Sequence, residues 1–451
     1  MTMFKKLLMF CYTSVALSCA FLTPGPALTQ GWSIETVDSD GLVGRYTSLK
    51  LDSNEYPAIS YHDETNGSLK FARWNGSSWD IETVDSSGSV GEFTSLALDS
   101  NDNPAISYYD FANEDLKFAR WNGSSWNIEV VDSVFNSGWY NSLAFDSNNA
   151  PAISYTFYDG TNLNLKFARF NGFVWEIEVV DSNGMVGDYT SLAYDSLGRP
   201  AISYRDLTNE DLRLARWSGE WVTEFVDGAD GDIGWDTSLA LDSNDYPAIS
   251  YYAWTGGNLK FARWNGSSWD TETVDSDGPV GGDTSLALDS NGYPVISYAD
   301  FTNWDLNVAR WNGTSWDIEI VDSDGEACQH SSLELDSNDY PAVSYYDYAN
   351  EDLKFARYQV QADTVYRGCV NTGSASDWRA ACLPLTEFND GEDPPFPMGI
   401  SIPGTVLDEN FPCQDPSTDL LLYRVLIGGT DPAGNILRAV KVPSGVELTI
   451  F

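Results

Sequence analysis

The chain has 451 residues, with 67 Asp plus Glu against 24 Lys plus Arg and a formal net charge of −43. A surface this acidic repels nucleic acid and anionic membranes, which argues against both as partners, although acidity by itself also serves solubility in cation-rich surroundings. A content of 42% hydrophobic and 14% aromatic residues places the chain among folded, globular proteins.

In chain order, the first element is MTMFKKLLMFCYTSVALSCAFLTPGPALTQ. Lys5 and Lys6 precede an apolar run that ends in small residues, the layout of a secretory signal peptide, expected over 1–30. Ala16-Leu17-Ser18 ahead of Cys19 is a poor match to a lipoprotein anchor site. Loss of the two lysines leaves the remainder near −45. No later apolar run is long enough to span a bilayer, so the reading is a soluble, monomeric, exported protein, extracellular or periplasmic.

From there to residue 358 the chain repeats itself. LKFARWNGSSWDIETVDS (69–86) returns as LKFARWNGSSWNIEVVDS (116–133), LKFARFNGFVWEIEVVDS (165–182) and four further variants, the last broken off at Tyr358. The tryptophan of each unit falls at 32, 79, 126, 175, 221, 269 and 316, a period of 46 to 49 residues. Such a period points to solenoids or propellers. Each unit holds four short runs rich in Val, Ile, Tyr and Trp, as in TSLALDS (94–100), PAISYYD (104–110), LKFARWN (116–122) and WNIEVVD (126–132). Four strands per unit at this period make a β-propeller blade.

With the strands called A to D, seven A–B–C sets begin near 47, 94, 141, 190, 237, 284 and 331. The seven D strands begin at the seven tryptophans. The first D has no set before it and the last set has no D after it. Joining the two gives an all-β, seven-bladed β-propeller over 31–358, closed by an N-terminal outer strand with no free lateral edge. Lys50 and Glu334 replace the Ala of strand A in the two blades that closure makes neighbours, and are expected to meet.

The unit SLALDS…PAISYYD…LKFARWNGSSW resembles secreted bacterial propellers with sialidase-like, or degenerate Asp-box-like, repeats. An Asp box reads S-x-D-x-G-x-x-W between strands C and D. Gly76 and Trp79 match it, while Ala72 and Trp74 stand at its Ser and Asp positions. The resemblance implies the fold; unrelated activities share propellers.

A residue present in every blade is most simply part of the scaffold. The arginines 73, 120, 169, 216, 263, 310 and 357 are read this way, paired with a carboxylate of the adjacent D strand such as Glu82 or Asp85. Function is sought where the repeat varies. Trp139, Trp235, Trp254 and Trp304 fall off the tryptophan pattern, all in D-to-A or B-to-C loops. The position three before each Ser-Leu differs from blade to blade and includes Arg45, Trp139 and Trp235. The B–C loops add Phe111, Phe301 and Tyr348. Aromatic rings on that face suit stacking on sugars or anchoring a protein partner, with packing between blades the plainer alternative. Arg205 is the other non-repeated cation assigned to this face.

Catalysis draws little support. A sialidase needs clustered arginines, and outside the repeated positions the propeller has only Arg45, Lys50, Arg199 and Arg205. Two histidines, His62 and His330, offer little for a triad or zinc site. A glycosidase using two carboxylates remains the alternative. Asp110-x-x-Asn113-x-Asp115, repeated in three more B–C loops, is a Ca²⁺ candidate set against the ordinary turn-closing role of Asp and Asn, which is favoured. No other cofactor is implied.

After Tyr358 the repeat stops. Residues 359–451 read as a small β-rich appendage with a hairpin, LLLYRVLIGG then ILRAVKV. It carries Cys369, Cys382 and Cys413, with Cys328 in the last D–A loop as a fourth cysteine. Export suggests two disulfides, with Cys369–Cys382 and Cys328–Cys413 the pairing favoured among three. The function expected is non-catalytic recognition of carbohydrate or a cell-surface protein; the alternative is a glycoside hydrolase of sialidase-like propeller type.

Overall fold

The computed structural model describes residues 28–362, except 230 and 325–328, and the short segments 367–371, 378–382, 413–415 and 420–422. The described residues contain no helix. Twenty-eight strands form seven four-stranded antiparallel sheets. Blade 1 is typical, with A at Val43–Leu51, B at Pro57–Asp63, C at Ser68–Trp74 and D at Trp79–Asp85. In blade 7 the strand Leu28–Asp38 lies beside Asp352–Ala362, followed by Pro341–Asp347 and Gln329–Leu335, so the clasp is present. Trp32 meets Tyr358 edge-on at 5.5 Å. Lys50 and Glu334 form the expected ion pair.

The core lies between blades rather than within them. One cluster joins Ala58 and Phe71 of blade 1 to Leu96, Ile106 and Tyr108 of blade 2. Another joins Leu49 and Ile59 to Ala342, Leu353 and Phe355 across the closure. As expected for a strand covered on both faces, strand B is buried along its whole length in every blade but the third, where its last residue, Tyr158, is exposed.

Two polar devices repeat at the seams. The Ser of each Ser-Leu accepts the next blade's Leu N–H, from Ser48 to Leu96 (3.0 Å) around to Ser332 and Leu49 (3.0 Å), with no blade skipped. Farther out, the Asp ending each D strand accepts the following blade's buried Tyr hydroxyl. Asp85 takes Tyr108 at 2.7 Å and Lys117 at 2.5 Å; Asp38 of the clasp takes Tyr61 at 2.6 Å together with Lys70. Burial alone would raise these carboxyls, but the Lys and Tyr hydrogen bonds outweigh it and hold Asp38, Asp85, Asp132 and Asp227 below the usual range.

The repeated arginines depart from the sequence expectation. Five pair with the Asp at the end of their own blade's strand A, as Arg73 does with Asp52 (2.8 Å) and Arg263 with Asp242 (2.9 Å). Only Arg216 and Arg310 reach a D-strand carboxylate, Glu224 and Glu319. Those two blades carry Leu214 and Val308 where the other five have Phe, and the smaller side chain frees the space a guanidinium needs to lie against strand D.

The inner strands also begin earlier than the sequence suggested, at Val43 and Val90 rather than near 47 and 94, because each contains a bulge. A glycine opens the bulge at 44, 91, 138, 187, 234 and 281, always with positive φ. Its missing side chain matters, since a Cβ on Gly91 would come within 2.9 Å of the Leu69 backbone. In blade 7 this position is Cys328, outside the described residues.

Outside the propeller unit, which spans 32–359, Arg367–Asn371 pairs with Trp378–Cys382, and Cys413–Asp415 with Leu420–Leu422. Leu420–Leu422, read from sequence as part of a terminal hairpin, thus pairs upstream; the rest of that hairpin, the proposed leader and the cysteine pairings lie outside the described residues and side chains.

Candidate functional site

The bulge that the sequence hides builds the site. Two residues beyond each bulge glycine, in left-handed backbone, sit Tyr46, Phe93, Tyr140, Tyr189, Asp236, Asp283 and His330, with φ between 46° and 55°. Bulky non-glycine residues rarely adopt this conformation, and it persists only where surroundings enforce it. Here the next blade enforces it. Thr94 donates to the Tyr46 carbonyl (2.9 Å), Asn141 to that of Phe93 (2.8 Å), Thr190 to Tyr140 (2.8 Å) and Thr237 to Tyr189 (2.7 Å).

These residues ring the mouth of the central channel, around an opening of about 180 Å³ lined by two residues from every blade. The ring is two-faced. Blades 1 to 4 supply a run of aromatic rings with centroids 4.2 to 4.7 Å apart. Blades 5 to 7 supply Asp236, Asp283 and His330, and His330 closes the circle against Tyr46 at 4.5 Å.

The acidic arc is unusual electrostatically. Asp236 accepts the Asp283 N–H at 2.9 Å, and His330 Nδ1 stands 3.5 Å from Asp283. Burial pushes both carboxyls up, and the Asp283 charge pushes Asp236 further; the N–H bonds to them act the other way without prevailing. Burial and the Arg45 charge depress His330 to about 4, so it is neutral at pH 7. Nearby Asp188, buried and with Oδ1 unpaired, is pushed up to about 6 by desolvation.

From the mouth a network of aromatic contacts runs outward, in places through buried rings such as Tyr109 and Tyr252. Tyr189 meets Trp235 at 5.5 Å, and Trp235 stacks on Trp254 at 5.2 Å and 28°. Trp254 leads through Tyr252 to Phe301, then Trp304 and Tyr348. On the other side Phe93 leads through Tyr109 to Phe111 and Trp139. Phe301 lies over Gly282, where a Cβ would come within 2.3 Å of its ring.

All seven aromatic residues singled out from sequence therefore belong to one connected network of ring contacts, but with unequal roles. Trp254, Phe111 and Tyr348 are 59%, 58% and 43% exposed. Trp139, Trp235, Phe301 and Trp304 are half-buried. Trp235 covers Arg205 at 4.1 Å and donates to Asp232 at 2.9 Å, so it supports its surroundings as well as facing outward. Arg205 is buried and bound to Asp232 at 2.6 Å; Arg45 is bound to Glu64 at 2.8 Å and lies over Tyr346. In the B–C loop, Asn113 donates to both oxygens of Asp110, at 3.1 and 2.9 Å, and the loops at Asp206, Asp300 and Asp347 close in the same way. Asp115 faces this turn across the strand register. Among the described residues no cluster of three or more His, Cys, Asp or Glu is arranged to hold a metal ion, and no helix could cross a membrane.

The mouth ring itself went unread. Its signal was one residue away from the variable position singled out: the series Tyr, Phe, Tyr, Tyr, Asp, Asp, His has fewer residue types but is more sharply divided along the ring.

No family model matches the chain, and no curated protein matches it. Solved structures similar to it include a protein of unknown function from Dyadobacter fermentans (11% identity, 75% of this chain and 100% of that one, TM-score 0.47). YCF48 bound to D1 peptide is similar at 12% identity over 74% and 99%, TM-score 0.47. A leech intramolecular trans-sialidase is similar at 13% over 74% and 71%, TM-score 0.39. Likenesses this distant carry no function from one chain to another.

Proposed function

We propose that this chain is an exported binding propeller that takes a carbohydrate on the face bearing the D–A and B–C loops. The observation that carries the reading is one face bearing exposed Trp254, Phe111 and Tyr348, joined by ring contacts to a channel mouth half aromatic and half carboxylic. Sugars present C–H faces to rings and hydroxyls to carboxylates, and this surface offers both. Arg45 and Arg205 are each engaged by carboxylates, so the surface suits neutral sugars rather than acidic ones. A glycan array read with the wild type and Trp254→Ala tests the proposal. Retention only of neutral glycans, weakened by the substitution, supports it; retention of polypeptide ligands alone turns the reading to a protein partner.

One observation favours a second reading. Asp236 and Asp283 are adjacent carboxyls in a pocket, biased towards holding a proton near neutral pH, as a general acid requires. Hydrolysis of any glycan hit, abolished by Asp236→Asn and Asp283→Asn, decides for a glycoside hydrolase.

A further inference from the structure

Two cavities far from the mouth share one architecture. The larger, about 460 Å³, lies between blades 5 and 6 and is lined by Phe261, Arg263, Asp270, Glu272, Pro294 and Trp311, among others. The second, about 310 Å³, lies between blades 1 and 2 and is lined by the equivalent residues Phe71, Arg73, Asp80, Glu82, Pro104 and Trp121. Each has an aromatic residue from strand C, two carboxylates from strand D and an indole from the next blade. Both fall within the roughly 300–1,000 Å³ of small-ligand sites.

In both, the arginine is held away from the strand-D glutamate. Arg73 is drawn to Asp52 (2.8 Å) and the Asp102 carbonyl (3.1 Å); Arg263 is drawn to Asp242 (2.9 Å) and the Gly292 carbonyl (2.8 Å). The opposite state occurs in two other seams of the same ring. Arg216 binds Glu224 at 2.6 Å and lies over Trp264 at 5.6 Å; Arg310 binds Glu319 at 2.7 Å and lies over Tyr358 at 4.3 Å. There the guanidinium occupies the place between Glu and the neighbouring ring that the open seams leave vacant. The choice follows strand C, with Phe71 and Phe261 in the open seams and Leu214 and Val308 in the closed ones.

We propose that the seams between blades 1 and 2 and between blades 5 and 6 are lateral binding sites for a neutral monosaccharide unit, which makes the propeller multivalent. The indole of Trp121 or Trp311 takes the apolar face of the pyranose. Asp80 and Glu82, or Asp270 and Glu272, accept from its hydroxyls, and the arginine donates to a hydroxyl oxygen while held by its Asp. Two carboxylates beside one paired arginine disfavour an acidic sugar. These sites use none of the mouth residues, so they stand or fall separately from the proposal above. Linked sites facing outward from one ring would raise avidity for a repetitive glycan well above the affinity of either site alone.

The test is calorimetric titration of the full chain with methyl glycosides of glucose, galactose, mannose, fucose and N-acetylglucosamine, with melting followed alongside. At least one is expected to bind. Trp311→Ala should then remove one site from the stoichiometry, and Trp121→Ala with Trp311→Ala should remove two. Because an indole also packs, the deciding variant is Phe261→Val, which copies the residue blade 6 already carries. It should let Arg263 swing to Glu272 and close the pocket, with loss of that site or at least tenfold weaker binding in a folded protein. Trp254→Ala must leave these sites intact. No binding by any glycoside, or a stoichiometry unmoved by Phe261→Val and the indole variants, overturns the proposal. Sites lost only with Trp254→Ala leave the mouth reading standing and remove this one.

Discussion

The blade seams and the channel mouth both rest on buried or half-buried aspartates, and they treat them in opposite ways. At the seams the carboxyl gains a lysine and a tyrosine, and its ionised form is favoured despite burial. At the mouth Asp236 and Asp283 gain backbone N–H donors, each other and a neutral histidine but no lysine, and burial shifts them towards the protonated form. A seam needs seven equal joints, so its residues recur. The mouth keeps one backbone geometry seven times and varies what hangs from it. The difference separates what the ring needs to close from what it has free to use.

If the seams are structural, breaking one should be the costliest change available. Deleting residues 28–39 strips the clasp, exposes strand Asp352–Ala362 as an edge and leaves Lys70 and Tyr61 without Asp38. The loss should exceed the roughly 3–5 kcal/mol of stranding one buried charge. Chemical denaturation checks it, and a truncated chain as stable as the intact one would mean the ring does not depend on closure. Asp85→Ala is the single-residue version, expected to cost about 1.5–3 kcal/mol because buried Lys117 loses its closest partner and keeps only Asp110, at 3.6 Å, and the Ser87 hydroxyl. The sign with pH follows from the depressed carboxyls: their contribution is full above the unfolded value near 3.8 and is lost as pH falls through the folded ones. The deficit of Asp85→Ala should accordingly shrink in acid; a deficit constant down to pH 2 would assign it to packing instead.

The seams were legible and the mouth was not, for a physical reason. Tryptophan spacing, Pro-Ala-Ile-Ser-Tyr runs and the orphan D strand describe period, strand and closure directly, because each repeated residue meets the same neighbour seven times. The Lys50–Glu334 pair was legible for the same reason, as two exceptions that closure brings together. The bulge was marked only by its recurring glycine, and it shifts by one residue which side chain faces the channel. Attention therefore fell on Arg45 and Trp139 rather than Tyr46 and Tyr140 beside them. The arginine partners were misread because the turn Asp at 52 and the strand Glu at 82 are equally plausible in sequence; a Phe two residues before the arginine decides between them.

At the exposed end of the aromatic surface the expected effect is on binding alone. Trp254 is 59% exposed and its hydrogen bonds are made by its backbone, which alanine keeps, so Trp254→Ala should barely move the melting temperature while weakening glycan binding by about 1–3 kcal/mol. Trp235→Ala sharpens the comparison, because it also uncovers Arg205 and leaves Asp232 with Arg205 as its remaining side-chain partner, and should lower both stability and affinity. Equal losses of stability in the two variants would show that Trp254 too is a packing residue.

The smallest effect, and the most direct probe of the contrast between mouth and seam, is the response of Asp236→Asn to pH. Burial and the Asp283 charge hold the folded pair above the unfolded carboxylate value of 3.8, so the folded chain holds more protons from about pH 4 up towards neutrality. Stability contributed here falls as pH rises through that window, the reverse of the seam aspartates. Asparagine has no charge to desolvate and keeps an oxygen for the Asp283 N–H. His62 and His330, both depressed to about 4, lose stability as pH falls below about 6.5, but they do so in both proteins and largely cancel in the difference. Asp236→Asn should thus melt higher than the wild type at pH 8, by on the order of 1 kcal/mol for a half-buried group, and the two should converge at pH 4. A variant that is less stable at pH 8, or a gap that does not change with pH, would place Asp236 among the ionised structural carboxylates and remove the distinction between the two regions.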